Sequence, residues 1–169
     1  MKRISYKGFT LVEMLLYIAL SSSILLITVV FLAALLDVSV SNQVKSEINQ
    51  QGAVAITVLS QTIRNAKGIV TPAPGATSSS ISIATIKAST SPTIFDVATG
   101  TLRMKEGSSS PILLTSSRVI VSGLIFSNTS ASSTDGGSVE FSFVLSNVSS
   151  STRKEYQASS SFTGFAPFH

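Results

Sequence analysis

The residue whose chemistry stands out in this chain is Glu13, a carboxylate near the start of an apolar run that ends at Leu36. An ionised carboxylate is costly to bury in apolar surroundings, so it must be neutral, reach an aqueous interface or meet a positive partner. No lysine, arginine or histidine lies between Phe9 and Leu36. Glu13 therefore either reaches back to the interface from the end of a membrane span, or neutralises a charge on another protein chain.

The other reactive residue types do not form a catalytic or metal-binding set. The chain has no cysteine, and its single histidine is the terminal residue His169. The serines have no base beside them to activate a hydroxyl, and no glycine-rich phosphate loop precedes a helix. Asp135-Gly136-Gly137 supplies one carboxylate where a calcium loop needs several. We therefore expect no enzymatic activity, no metal site, no cofactor and no disulfide framework.

The net charge gives little support for a polyanion as the partner. The formal charge is +4, but Lys2, Arg3 and Lys7 all precede Gly8, and residues 9–169 carry nine basic against eight acidic side chains. Binding to nucleic acid through phosphate contacts needs clustered lysine and arginine, whereas these residues are spread singly or in pairs. A solvated surface is the default interpretation of these charges.

The first 36 residues have the composition of a membrane-inserting segment. Residues 1–8 are short and basic, which favours their retention on the cytoplasmic side of a membrane. A helix over residues 9–36 would measure about 42 Å, which is more than the ~30 Å thickness of a hydrocarbon core. The run is longer than the apolar region of a secretory signal, and no Ala-x-Ala pattern closes it. We expect a membrane-spanning or membrane-docked helix.

The stretch Lys7-Gly8-Phe9-Thr10-Leu11-Val12-Glu13, followed by Met14-Leu15-Leu16, resembles the prepilin signature of type IV pilins and of the pseudopilins of type II secretion. In that family a membrane peptidase cuts after the glycine, the new amino terminus is N-methylated, and the glutamate serves assembly. The resemblance implies a leader peptide over residues 1–8, cleavage between Gly8 and Phe9, methylation of Phe9 and an assembly role for Glu13. It is specific over residues 7–36 and only architectural beyond them.

The same resemblance implies a location and a set of partners. The precursor would be a single-pass protein of the bacterial inner membrane, and the mature protein would lie in a cell-surface pilus or a periplasmic pseudopilus. Its partners would be the prepilin peptidase/methyltransferase and other pilin subunits, which it would contact through its N-terminal helix. Many major pilins have a helix-kinking proline where this chain has Val30, so the resemblance favours a minor subunit.

The helical pattern continues beyond the apolar run. Apolar side chains recur with a period of about 3.6 residues at Val44, Ile48, Ala55, Leu59 and Ile63. We predict an amphipathic continuation of the helix over residues 37–68, with Lys67 in its last turn and Gly68 after it. Two helices that meet near residues 37–42 are the alternative, and Gly52 is a weak point for helix formation.

Residues 69–169 have the pattern of a β domain rich in serine and threonine. Thr71-Pro72-Ala73-Pro74-Gly75 prevents further helix, and 98–100 is a hairpin-like connection. Apolar runs indicate five to seven strands, at 81–83, 93–97, 101–105, 112–115, 119–126, 139–145 and 156–162. The sequence therefore predicts an α+β fold, in which a long N-terminal helix with a membrane-spanning half and an amphipathic half packs on an antiparallel β-sheet head.

The sequence favours a non-catalytic structural subunit, a minor pilin or a pseudopilin, over two alternatives. One is a membrane-anchored adhesin or DNA-capture subunit whose β head binds a ligand. Arg103 and Lys105 would then share a face if 101–105 is a strand. The other is an ordinary single-pass membrane protein that is never cleaved.

Overall fold

The computed structural model describes residues 8, 10–131, 136–148 and 157–168. The chain divides into two compact units, Met1–Val40 and Ser41–His169, and the fold of each is described by itself. Predictions that concern Phe9, Asp135 and His169 fall outside the described residues. The fold is α+β, as the sequence predicts: one long N-terminal helix is followed by antiparallel sheets.

The helix α1 covers Leu11–Arg64. Its backbone is helical through residues 37–42, so the alternative of two separate helices that meet there is wrong. The helix ends three residues before the predicted last-turn residue Lys67, because Ala66–Thr71 forms a strand instead. Pairing of that strand with β3 places the side chains of Ala66 and Ile69 in the core.

In the N-terminal unit, α1 presents apolar side chains on all of its faces. The most apolar window of the helix is 0% buried, and α1 is long and apolar enough to cross a membrane by length and composition. Two of its hydroxyl groups are bonded within the helix: Ser22 Oγ donates to the carbonyl of Ile18, and Thr28 Oγ1 donates to that of Ile24 at 2.8 Å. These bonds remove a cost that free hydroxyl groups would have in hydrocarbon.

The C-terminal unit contains two antiparallel sheets rather than the single sheet that the sequence indicates. The strands are β1 Ala66–Thr71, β2 Thr77–Ser78, β3 Ile81–Thr85, β4 Thr93–Ala98, β5 Thr101–Glu106, β6 Ile112–Leu113, β7 Val119–Asn128, β8 Gly137–Asn147 and β9 Ser159–Phe168. One sheet has the order β1-β3-β4-β5-β6, and the other has the order β2-β7-β8-β9. A short 3-10 turn, Ala88–Thr90, precedes β4.

The clearest sequence patterns give the expected strands. β4 and β5 form the predicted hairpin, with Thr99 at φ 51° and Gly100 at φ 75° in its turn, as a tight two-residue connection requires. The alternating run at 139–145 lies within β8. β9 extends six residues beyond the predicted end of the last strand, whose predicted start at residue 156 is outside the described residues. β1 and β2 were not predicted.

The predicted apolar stripe of α1 is confirmed as the helical side of the core. Ile48, Ala55, Leu59 and Ile63 are buried, and Val44 packs half-buried at the edge. The sheets contribute five fully buried aromatic rings, which are Phe95, Phe126, Phe141, Phe143 and Phe168. Burial of this apolar surface is the main stabilising contribution to the head.

Gly52 is part of this core and is a packing requirement of the helix. A Cβ atom at Gly52 would lie 2.1 Å from Cζ of Phe162 on β9. The Phe162 ring stacks on Phe143, with ring centroids 5.4 Å apart and 20° between the ring planes. The absence of a side chain at Gly52 therefore lets an aromatic ring of the sheet lie directly on the helix backbone.

Gly52→Ala is expected to lower the free energy of unfolding of the head by about 1–3 kcal/mol, as overpacking in a filled core does. The clash outweighs the gain in helix propensity, which is at most about 1 kcal/mol. Urea unfolding of the detergent-solubilised chain, followed by circular dichroism, measures the change. In a Phe162→Ala background the same substitution should be neutral or stabilising. Equal destabilisation in both backgrounds would contradict this account of Gly52.

Candidate functional site

Thr10 fixes the start of α1 and is its N-cap residue. The Thr10 carbonyl accepts a hydrogen bond from the Met14 N–H group at 3.2 Å, and Thr10 Oγ1 accepts one from the Glu13 N–H group at 3.2 Å. The first N–H groups of a helix have no partner within the helix, and the hydroxyl of an N-cap threonine supplies one. The chain therefore enters the helix at Leu11.

Glu13 occupies the third helical position, and its side chain is exposed on the first turn. Thr10 and Glu13 have the spacing of a capping box, in which an acidic residue or glutamine follows the N-cap by three. A carboxylate there also interacts favourably with the positive end of the helix dipole, by about 0.3–1 kcal/mol. Glu13 thus has a local role in addition to the predicted assembly role. The pattern Thr-x-x-Glu, which indicates this local role, is present in the sequence. The sequence prediction for Glu13 was based on its charge alone.

Gly8 lies before the helix in an exposed position. A Cβ atom added to Gly8 would meet no atom within 4 Å, and the residue does not have the positive φ that glycines such as Gly75 and Gly100 have. Neither space nor backbone conformation in the described structure requires glycine at this position. Its neighbour Phe9, the predicted methylated terminus, is outside the described residues.

The two cations predicted to share a face of the head lie on β5, where alternate residues point to the same side. Arg103 is neutralised by its cross-strand neighbour Asp96 on β4: Nε donates to Oδ1 at 2.9 Å and Nη2 donates to Oδ2 at 2.7 Å. These hydrogen bonds from the Arg103 guanidinium raise its pKa. Lys105 is exposed on the same strand. Among the residues that the structure describes, Arg103 is compensated by Asp96, so the pair does not present two free positive charges.

A polar contact joins the second half of α1 to the loop before β7. Gln51 Nε2 donates to Ser116 Oγ at 2.8 Å, and the Ser116 N–H group donates to Gln51 Oε1 at 2.9 Å. Arg118 lies 3.8 Å from Glu47 of the same helix, but its side chain is 78% exposed, so the ion pair contributes little. The two Gln51 hydrogen bonds hold this loop on the helix.

Asn128, at the end of β7, is completely buried and holds the turn after β1 in place. Its Nδ2 donates to the Pro72 carbonyl at 2.9 Å, and its Oδ1 accepts hydrogen bonds from both the N–H group and the hydroxyl of Ser130. Asn128-Thr129-Ser130 matches the pattern of an N-glycosylation acceptor. In the folded head this amide is completely buried and hydrogen-bonded to the Pro72 carbonyl, so it is not accessible for modification.

Two open clefts on the described part of the head have a charged residue in their lining. The larger, of about 570 Å³, is lined by Ser79, Ser80, Ile94, Asp96, Val97, Ser122, Gly123 and Leu124. Its one carboxylate is already bound by Arg103. The smaller, of about 420 Å³, lies beside the end of α1 and is lined by the following residues: Gln61, Thr62, Asn65, Thr85, Ile86, Lys87, Thr90, Thr93 and Glu106. Among the residues that the structure describes, no group of three acidic or imidazole side chains could hold a metal ion.

No protein-family model, curated protein or solved structure matches this chain.

Proposed function

We propose that the protein is a non-catalytic structural subunit, a minor pilin or pseudopilin, of a type IV pilus-like or type II secretion filament. A prepilin peptidase/methyltransferase of the inner membrane cuts the chain after Gly8 and methylates Phe9. The mature chain then assembles with other pilin subunits through its N-terminal helix, into a cell-surface pilus or a periplasmic pseudopilus.

The observation that carries this proposal is the order of residues at the N-terminus. A basic residue, Lys7, is followed by Gly8, Phe9 and a single carboxylate at Glu13, all at the entrance to an apolar helix of membrane-spanning length. Many proteins have an apolar anchor helix, whereas this order is specific to the prepilin family that the segment resembles. The helix on its own is compatible with a membrane anchor. The filament role is inferred from the order of residues at the N-terminus.

The charge of Glu13 provides a physical reason for this order of residues. Cleavage after Gly8 creates an α-amino group at Phe9, and a protonated amine in the apolar core of a filament requires a counter-charge. Glu13 of a neighbouring subunit supplies it, because residues 9–36 contain no other acidic side chain. The pairing also sets the axial register between subunits, since the amino group of Phe9 and the carboxylate of Glu13 are four residues apart in every copy of the chain.

Gly8 supports the same proposal because the fold of the chain does not require a glycine at this position. A Cβ atom added at this position meets no atom within 4 Å of the described structure, and the backbone does not have a positive φ. A glycine that folding does not require is explained if another protein, here the peptidase, must bring its catalytic groups close to the backbone at this point.

Gly8→Val is therefore expected to block processing while the folded head is unchanged. The branched side chain would lie beside the scissile bond in the peptidase, where close approach to the backbone is needed. Co-expression with a prepilin peptidase, followed by electrophoresis of the product, measures the processed fraction. We expect a loss of at least about tenfold, equivalent to roughly 1.4 kcal/mol in the barrier.

Ser5→Val, three residues upstream in the leader segment, is the matched control and should be processed at the rate of the unchanged chain. Equal processing of the Gly8→Val variant would contradict the proposed cleavage site. The ligand-binding alternative, an adhesin or a DNA-capture subunit, has no specific observation in its favour, since Arg103 is already paired with Asp96.

A further inference from the structure

Polar side chains follow one another along one side of the apolar half of α1. Glu13, Tyr17 and Ser21 are spaced four residues apart, and the helix is continuous and exposed at all three positions. Four residues of an α-helix turn by about 40° beyond a full turn and rise by about 6 Å. The three side chains therefore form a stripe on one face, which we call the polar stripe. Within a membrane such side chains face other helices and not lipid.

The neighbouring serines differ in their hydrogen bonds and in the side of the helix on which they lie. Ser22 Oγ donates to the carbonyl of Ile18 within the helix. Among the residues that the structure describes, the hydroxyl groups of Ser21 and Ser23 have no hydrogen-bond partner. Of these two, only Ser21 belongs to the polar stripe, because Ser23 lies about 160° away from Ser21 around the helix.

A groove beside the polar stripe has room for a side chain of another helix. It has a volume of about 370 Å³, and its lining consists of Tyr17, Ile18, Ser21, Ser22 and Leu25. The serines leave space between the larger side chains of Tyr17 and Leu25. Small residues of this kind let two helices approach each other closely in a membrane.

The charge of Glu13 identifies a second copy of this chain as the occupant. In the proposed function, on which this contact depends, the new amino group of Phe9 pairs with Glu13 of a neighbouring copy. The two helices are then parallel, and one is displaced by four residues, because the paired groups are four residues apart in the chain. Each residue of the displaced copy is consequently level with the residue four positions later in the other copy.

We propose that Tyr17 and Ser21 continue this contact, so that α1 of one copy is hydrogen-bonded to α1 of the next along the polar stripe. The displacement places Glu13 of one copy level with Tyr17 of the other, and Tyr17 level with Ser21. The Tyr17 hydroxyl donates to the Glu13 carboxylate, whose two oxygens can accept further hydrogen bonds beside that of the amine. The Ser21 hydroxyl donates to the hydroxyl of Tyr17. In an apolar filament core no water competes for these groups.

The spacing of the polar stripe is what makes this match. Its period of four residues equals the displacement that the amine and Glu13 require, so the same hydrogen bonds recur between each pair of neighbouring copies. A displacement of five residues would place Glu13 level with Ile18, and Tyr17 with Ser22, whose hydroxyl is already bonded to its own helix. Tyr17 and Ser21 are therefore positioning residues for the register of assembly.

Single cysteines test this register, since the chain has no cysteine of its own. Two differently tagged full-length copies are expressed together with a prepilin peptidase, one as Ser21→Cys and one as Leu25→Cys, and a short bifunctional thiol reagent is added. The crosslinked heterodimer should exceed the Ser21→Cys homodimer at least about fivefold, because only helices in close contact bring the thiols together.

The matched control is the pair Ser23→Cys and Ile27→Cys, which has the same spacing on the other side of the helix. It should give at most about a tenth as much heterodimer, because these side chains point away from the contact. Equal yields from the two pairs, or as much Ser21→Cys homodimer as heterodimer, would overturn the proposed register.

Removal of single hydroxyl groups tests the hydrogen bonds themselves. Tyr17→Phe should reduce incorporation of the mature chain into filaments about tenfold, since a hydrogen bond to a charged group is lost. Ser21→Ala should reduce it about threefold, and Ser23→Ala should leave it unchanged. Wild-type incorporation of Tyr17→Phe, or equal effects of Ser21→Ala and Ser23→Ala, would contradict these bonds.

The state of the N-terminus separates failure of this contact from failure of the proposed function. Intact-mass spectrometry of each variant shows whether residues 1–8 have been removed. Variants that are processed but crosslink equally on both sides of the helix overturn the polar-stripe contact and leave the proposed function standing. A chain that is never processed overturns both, because the amino group of Phe9 is then not formed.

Discussion

Glu13→Gln is expected to reduce incorporation of the mature chain into filaments by at least about a hundredfold. Removal of one partner from a buried charge pair costs about 3–5 kcal/mol, because the remaining charge is left without compensation. Every 1.4 kcal/mol corresponds to a tenfold change in an equilibrium. The measurement is the ratio of filament-bound to membrane-bound protein in sheared cell fractions, with the chain expressed at an equal level in each strain.

Glutamine is the informative substitution because it separates the two roles of Glu13. The third position of a capping box accepts glutamine as well as glutamate, so this variant keeps the helix start and removes only the charge. Thr10→Ala is the complementary control, which removes the cap and keeps the charge. It should destabilise the first turn by about 1 kcal/mol and reduce incorporation by less than tenfold. Wild-type incorporation of Glu13→Gln, or an equal loss with Thr10→Ala, would contradict charge pairing.

The second large effect is expected at Asn128. Asn128→Ala should lower the free energy of unfolding of the head by about 2–3 kcal/mol, because the Pro72 carbonyl and the Ser130 N–H group are then left buried without partners. Urea unfolding of the detergent-solubilised chain measures this decrease in the free energy of unfolding. Asn65→Ala is the matched control, since Asn65 is exposed, and it should change stability by less than about 0.5 kcal/mol.

In the Asn128→Asp variant, the free energy of unfolding of the head is expected to depend on pH. Burial disfavours the charged form, so the pKa of an aspartate here would be raised above its unfolded value of about 3.9. Both states of the variant are protonated below that pH, and the O–H group of the carboxylic acid then replaces the amide as the donor to the Pro72 carbonyl, so the loss of stability is smallest there. The unfolded state ionises first as the pH rises, so the deficit should grow above about pH 4 until the folded group also ionises. A deficit that is independent of pH would contradict a desolvated site at Asn128.

The elements with a strong hydrophobic period could be predicted from the sequence. The stripe from Ile48 to Ile63 identified the buried face of α1, because a helix in contact with a sheet repeats its apolar positions every 3.6 residues. The hairpin of β4 and β5 was readable for a similar reason, since Gly100 follows an alternating run and permits positive φ.

The features that could not be predicted depend on contacts between distant parts of the chain. β1 has the sequence Ala-Lys-Gly-Ile-Val-Thr, which could end a helix equally well, and only its pairing with β3 makes it a strand. β2 lies in a serine-rich stretch without an apolar pattern and forms because β7 has a free edge there. The contact of Gly52 with Phe162 and the hydrogen bonds of Asn128 likewise exist only between residues far apart in sequence.

At the candidate site, the residue types could be identified from the sequence and the local geometry could not. Glu13 was identified by its isolation in an apolar run, and this argument led to a partner on another chain. The structure adds that Thr10 caps the helix through the backbone N–H group of residue 13. It places Glu13 at the third helical position, where a carboxylate also interacts favourably with the helix dipole. The two roles are compatible, because both place a carboxylate at the N-terminus of α1.

The account is tested most directly by intact-mass spectrometry of the mature protein from cells that contain a prepilin peptidase/methyltransferase. Assembly as a pilin-like subunit requires a new amino terminus at Phe9, so this measurement concerns the first step on which all later steps depend. The account predicts a mass that lacks residues 1–8 and includes one methyl group, located on Phe9 by fragmentation. A protein that retains Met1, or an unmethylated Phe9, would contradict it.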